Sequence, residues 1–225
     1  MSLDLKTLSQ PDAHLIQVAL KQTGHYSGTT RGLPGPKTLA AYARFLLDSD
    51  AQPELPYIHD GKYDRIAFIE RFVAIAKSQV GVVEVGGNNR GKRIDEYEKA
   101  TWLDPEDDNP WCASFICWCI REALKGIIVP FKRPRTPAAF RFEDWAESQP
   151  GLRVIKSDSF PRFGDIVIFK FSHIAVCTSR KPSRNFTTVE GNTGSVGERD
   201  GDGVWQKLRS YDGKYGVRSI VRFTQ

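Results

Sequence analysis

Cys112 is the fourth residue of a run from Asn109 to Ala123 (NPWCASFICWCIREA) whose residue types place a thiol at the start of a helix. Asn109 is a favoured helix-capping type, and Pro110 suits the first helical position because it has no N–H to leave unpaired. Apolar residues then recur at helical spacing, which predicts a helix beginning one residue before Trp111. Cys112 falls in its first turn, where free backbone N–H groups and the positive end of the macrodipole favour a thiolate over a thiol. A thiolate so placed is a nucleophile for a carbonyl carbon, and the backbone N–H of Cys112 is a natural donor to the oxyanion that attack creates. An Asn109 cap would compete for that N–H.

A nucleophilic thiol needs a base. His173 opens the run HIAVCTS and is the only histidine among the β-rich runs of the chain. The next such run, FTTVE, ends in Glu190, with Gly191 and Asn192 following. Adjacent antiparallel strands set the start of one opposite the end of the next, so Glu190 and Asn192, two apart and on one face, can both address the His173 ring. A carboxylate or amide bound to one ring nitrogen fixes the tautomer and leaves the other nitrogen for the thiol. Cys112, His173, Glu190 and Asn192 are thus the candidates for nucleophilic chemistry, with the orienting role open between the last two. Glu84, Asn89 and Trp111 are placed to line a cleft beside them. Cys117, Cys119 and Cys177 read as reduced core thiols: Cys112, Cys117 and Cys119 share one helix, which is poor geometry for a bridge, and zinc-ligand spacing is absent.

The elements that must position these groups divide into halves. Residues 63–81, 93–101, 109–123 and 138–147 carry helical periodicity, whereas from Arg153 short β-branched and aromatic runs (RVIK, DIVIFKF, HIAVCTS, FTTVE, GVRSIVRF) alternate with Pro, Gly, Asp and Ser. Helices followed by an antiparallel sheet give an α+β domain over 63–225. Residues 51–62 are polar, hold two prolines and read as a linker that includes His59. Residues 1–50 form a small all-helical unit, with Leu15, Ile16, Ala19 and Leu20 on one face of a helix closed by Gly24. A second helix opens at Pro36 and carries Leu39, Ala40, Tyr42, Ala43, Leu46 and Leu47 inward.

At 225 residues, 40% hydrophobic and 26% charged, the chain has the composition of a globular protein with one sizeable core. No run is apolar enough to span a bilayer, and the start MSLDLKTLSQPDAH lacks the pattern of a secretory signal, so membrane insertion is not expected and the expected site of synthesis is the cytoplasm. A net charge of +5 favours anionic polymers, but no aromatic-interleaved basic motif points to nucleic acid. The acid-rich stretches Asp104–Asp108 and Asp200–Asp202 lack a full oxygen-ligand loop, so they read as solvated turns and neither metal nor cofactor is expected.

Two resemblances follow from these residues. Trp111-Cys112 at a helix start, Pro161, Gly164, Asp165, Ile166 and Phe169 at a strand entry, Ser172 to Val176 (SHIAV) and Val189 to Asn192 (VEGN) together resemble the papain-like CHAP domains and the related NlpC-type peptidases. The resemblance implies a papain-like fold and cleavage of an amide bond in bacterial peptidoglycan, as a muramoyl-alanine amidase or a stem-peptide endopeptidase. Tyr26, Gly28, Gly32, Gly35, Pro36, Lys37 and Thr38 resemble the peptidoglycan-binding type 1 repeat, with Arg31 standing where that family carries an acid. This implies wall contact through Tyr26 and Arg31. The combination is similar to a phage endolysin, a monomer made in the host cytoplasm and released to the wall by a separate membrane-permeabilising protein of the holin type. A bacterial autolysin, a thiol acyltransferase or a wall-binding protein without activity would share much of the pattern.

Overall fold

The computed structural model describes residues 10–22, 26–33, 35–38, 40–41, 64–127, 129–156, 159–181, 184–194 and 201–224. The expected linker with His59, the Gly24 cap, and Leu39, Tyr42, Ala43, Leu46 and Leu47 lie outside the described residues, as does Asp200. The chain divides into two compact units, residues 1–57 and 58–225.

In the first unit, α1 (Gln10–Gln22) buries Ala13, Gln17 and Leu20 at helical spacing. One buried amide organises the loop that follows. Gln17 Nε2 donates to the Leu33 carbonyl at 2.9 Å and Thr38 Oγ1 at 3.0 Å, while its Oε1 accepts from Gly32 N–H at 3.0 Å. Gly32 has φ +71, and a Cβ there would lie 2.3 Å from the Gln10 carbonyl oxygen, so the turn requires glycine. Residues 36–38 and 40–41 are helical.

The second unit is α+β. Asp64 caps α2 (Arg65–Ser78), accepting from Ile66 N–H at 2.8 Å and Ala67 N–H at 3.2 Å, and the helix buries Phe68, Phe72, Val73 and Ala76. Next come α3 (Lys92–Glu98), α4 (Cys112–Ala123) and α5 (Arg141–Glu147). Six strands then form one antiparallel sheet: β1 (Leu152–Ile155), β2 (Ile166–Phe169), β3 (His173–Arg180), β4 (Asn185–Thr193), β5 (Gly203–Ser210) and β6 (Val217–Phe223), in the order β1-β6-β2-β3-β4-β5. This is a papain-like arrangement of helices against a sheet. The sequence reading lacked β5.

The helices cover one face of the sheet, where Phe115, Ile116 and Ile120 of α4 join Ile168, Ile174, Val176 and Val189 in the main core. A smaller cluster around Val167, Phe169, Ala175, Cys177 and Phe186 covers the other face. Strand β2 is therefore buried on both sides, which explains its unbroken IVIF run.

The first turn of α4 sits tightly on β4. A Cβ added to Gly191 would lie 2.7 Å from Phe115 Cβ and 2.7 Å from Trp111 Cζ3, so the helix start approaches the strand as closely as a missing side chain allows. Gly191→Ala is expected to lower unfolding stability by about 1–3 kcal/mol through overpacking. Urea denaturation checks this, and an unchanged midpoint would contradict the close approach.

Candidate functional site

The central helix starts later than the Asn109-Pro110 signal predicts. Its N-cap is Trp111 and Cys112 is its first residue, with no side chain capping the helix. Asn109 does not serve as the cap, and its buried Nδ2 has no hydrogen-bond partner. The cause is Trp111, which is fully buried, tilts against Tyr97 at 5.5 Å between ring centroids and donates from Nε1 to Glu84 Oε1 at 2.9 Å. That packing fixes where the helix begins. No side chain then competes for the Cys112 N–H, so the competition expected from an Asn109 cap does not arise.

His173, the first residue of β3, is 1% exposed. Its Nε2 lies 2.9 Å from Glu190 Oε2. Glu190 as a carboxylate can only accept, so Nε2 carries the proton and Nδ1 is left free of it, and the nearby Cys112 side chain raises the ring's pKa. The ring is stacked on Phe171 at 5.5 Å and 12° between planes, and on Phe169 at 6.1 Å.

Glu190 is fully buried and has three other contacts. Thr188 Oγ1 donates to Oε1 at 2.5 Å, and Arg209 grips both oxygens, Nε to Oε1 at 2.7 Å and Nη2 to Oε2 at 2.5 Å. Burial alone would raise the Glu190 pKa, but hydrogen bonds and charge from Arg209 and His173 override it and hold it at about 2. Burial would likewise lower His173, and the Cys112 and Glu190 side chains reverse that, raising it to about 9.

Asn192 is not directed at the imidazole. A register irregularity between Glu190 and Thr193 and a φ of +52 at Asn192 break the rule that residues two apart share a face. Its Nδ2 donates to Asn89 Oδ1 at 2.9 Å and to the Gly201 carbonyl at 3.3 Å, and Asn89 Nδ2 donates to the Asp108 carbonyl at 2.9 Å. These two amides tie the 86–89 turn and the segment before Cys112 to β4. They are struts, and Asn89 is buried, contrary to a cleft-lining role. Glu84 is engaged by Trp111, and Trp111 presents no surface to a ligand, so these two expectations are corrected in the same way. In the first unit Tyr26 donates its hydroxyl to the Thr29 carbonyl at 3.1 Å, whereas the Arg31 side chain is exposed.

Arg209 escaped the sequence reading because β5 did. Its alternation of Lys207 and Arg209 on one face reads as a solvated edge, yet that face turns toward Glu190. Cys117, Cys119 and Cys177 are buried, and burial pushes each thiol up, Cys177 to about 12. Among the described residues no group of three or more His, Cys, Asp or Glu side chains is arranged to hold a metal ion, and no helix is long and apolar enough to cross a membrane.

A buried imidazole held between a helix-tip thiol and a carboxylate can abstract and return a proton at a carbonyl attacked by sulfur. Residues 104–192 match the CHAP domain model. The CHAP segment opens in the loop before Cys112 and closes on Asn192, so it takes in Cys112, His173 and Glu190 and stops short of β5 and Arg209. Searches of curated proteins and of solved structures return no significant match.

The two shifts fix a stability window. His173 lies above its ordinary 6.5, so its contribution is full below about that pH and is lost as pH rises through about 9. Glu190 lies below its ordinary 4.5, so its contribution is full above that pH and is lost as pH falls through about 2. Urea unfolding across pH is expected to show the largest stability gap between wild type and Glu190→Gln from about pH 4.5 to 6.5, narrowing on both sides. A gap independent of pH would contradict the assignment.

Proposed function

We propose that the chain is a thiol-dependent peptidoglycan hydrolase, with Cys112 as nucleophile, His173 as general base and acid, and Glu190 as the group that orients His173. The CHAP match supports a peptidoglycan hydrolase in general terms. The observation that carries the finer reading is the buried His173–Glu190 hydrogen bond with Cys112, at the tip of α4, near enough to the ring to act on its charge.

The sulfur attacks the amide carbonyl, and the oxyanion that forms lies near the uncapped N–H of Cys112. His173 Nδ1 takes the thiol proton and returns it to the leaving amine, giving a thioester. Water, deprotonated by the now neutral ring, then releases the acid and restores the thiol. The exposed Arg31 loop of the first unit, pinned by Gln17, adds wall contact in this reading. A lytic protein of the endolysin type, monomeric and acting on the wall from the cytoplasm of a host bacterium, fits this pairing of units.

Release of soluble fragments from purified peptidoglycan tests the proposal. Cys112→Ala and His173→Ala are each expected to lower the rate by about 10³-fold or more. Glu190→Ala should lose about 10²-fold or more, and Asn192→Ala far less. Equal lysis by wild type and Cys112→Ala would remove the nucleophile. Mass spectrometry of the fragments separates the amidase from the endopeptidase: a new lactyl carboxylate marks the first, a new amine within the stem peptide the second.

A further inference from the structure

A buried carboxylate facing a histidine that must change charge poses a problem the three-residue chain does not solve by itself. While the ring is an imidazolium, it neutralises Glu190. Once the ring has handed its proton to the leaving amine, the fully buried carboxylate faces a neutral imidazole, and an unbalanced buried charge is strongly unfavourable.

Arg209 is built to meet that demand. Its guanidinium makes the two-pronged contact with both Glu190 oxygens, and the arginine side chain is 14% exposed. The same guanidinium lies over the rings of Phe169 and Phe171, 5.4 and 5.6 Å from their centroids. Those are the rings stacked on His173. Arginine, ring and imidazole therefore form one layered assembly, in which the planar fork reaches both carboxylate oxygens while lying over the rings.

The charged and titratable groups facing Glu190 from each neighbouring element can be named. From β3 comes His173, with Cys112 of α4 behind it; from β4 itself, the neutral Thr188 hydroxyl; from β5, Arg209 and Lys207. Lys207 bonds the Gly194 carbonyl and has Asp202 near it, so Arg209 is the cation in direct contact with the carboxylate.

We propose that Arg209 is a positioning residue that keeps Glu190 anionic and aimed at His173 through both charge states of the imidazole. The proposal rests on the thiol mechanism above and concerns a residue outside the CHAP segment. Without Arg209, Glu190 takes up a proton in mild acid, and the His173 ring that serves Cys112 loses its support.

The test is the pH dependence of Cys112 alkylation by iodoacetamide in the full-length chain, read by peptide mass so that the buried thiols are scored separately. It needs no wall substrate, so its outcome is independent of whether peptidoglycan is cleaved. Arg209→Met, verified as folded by circular dichroism, is expected to move the acid limb of the profile up by at least one pH unit. Arg209→Lys, which keeps the charge, should move it less. An unmoved limb in folded Arg209→Met, or a uniform slowing at every pH, would overturn the proposal and leave Arg209 a strut. Failure of both variants to fold would also overturn it.

Discussion

A carboxylate removed from water must be balanced where it stands, and Glu190 imposes that requirement on the centre of this molecule. Its oxygens are occupied by His173, Arg209 and Thr188, three side chains from three different strands. The β3-β4-β5 portion of the sheet is consequently specified by polar contacts as well as by apolar packing. Removing one partner of such a buried pair commonly costs about 3–5 kcal/mol, because the remaining charge is left without compensation. The same set of bonds fixes the tautomer of His173, so a stability requirement and a chemical one coincide in one residue.

The second requirement is that the tip of α4 be brought to that sheet. Gly191 allows the close approach, and Trp111 secures it by packing on Tyr97 and bonding Glu84. Glu84 is itself tied to the start of β5, since its N–H donates to the Asp202 carbonyl at 2.7 Å. Asn89 and Asn192 complete the brace from the other side. Residues that looked like ligands for a substrate instead hold the loop before Cys112 against the strands. Their polar side chains are used up within the protein, which is the usual fate of a buried amide or a half-buried carboxylate.

How much of this was legible in the sequence depended on the range of the signal. The segregation of helices from strands and the pairing of His173 with Glu190 follow from local periodicity and from the geometry of neighbouring strands, whereas the meeting of Cys112 with His173 is implied by the resemblance to CHAP domains alone. The start of α4 was misplaced because the Asn109-Pro110 signal is local, whereas the boundary is set by the burial of Trp111. Asn192 was assigned to the wrong face because the irregularity after Glu190 leaves no mark in residue type. Arg209 was invisible for a different reason: a strand with alternating cations reads as an edge in water, and only the tertiary pairing with β4 reveals that its charged face looks inward.

The central claim is that the sulfur of Cys112 becomes covalently acylated. Acid quenching of the protein during turnover on soluble peptidoglycan fragments, followed by mass analysis of the peptide containing Cys112, addresses it most directly. The account predicts a thioester adduct on that peptide, equal in mass to the acyl portion of the cleaved fragment and absent from Cys112→Ala. Turnover that continues in Cys112→Ala with no adduct on the wild-type peptide would contradict it.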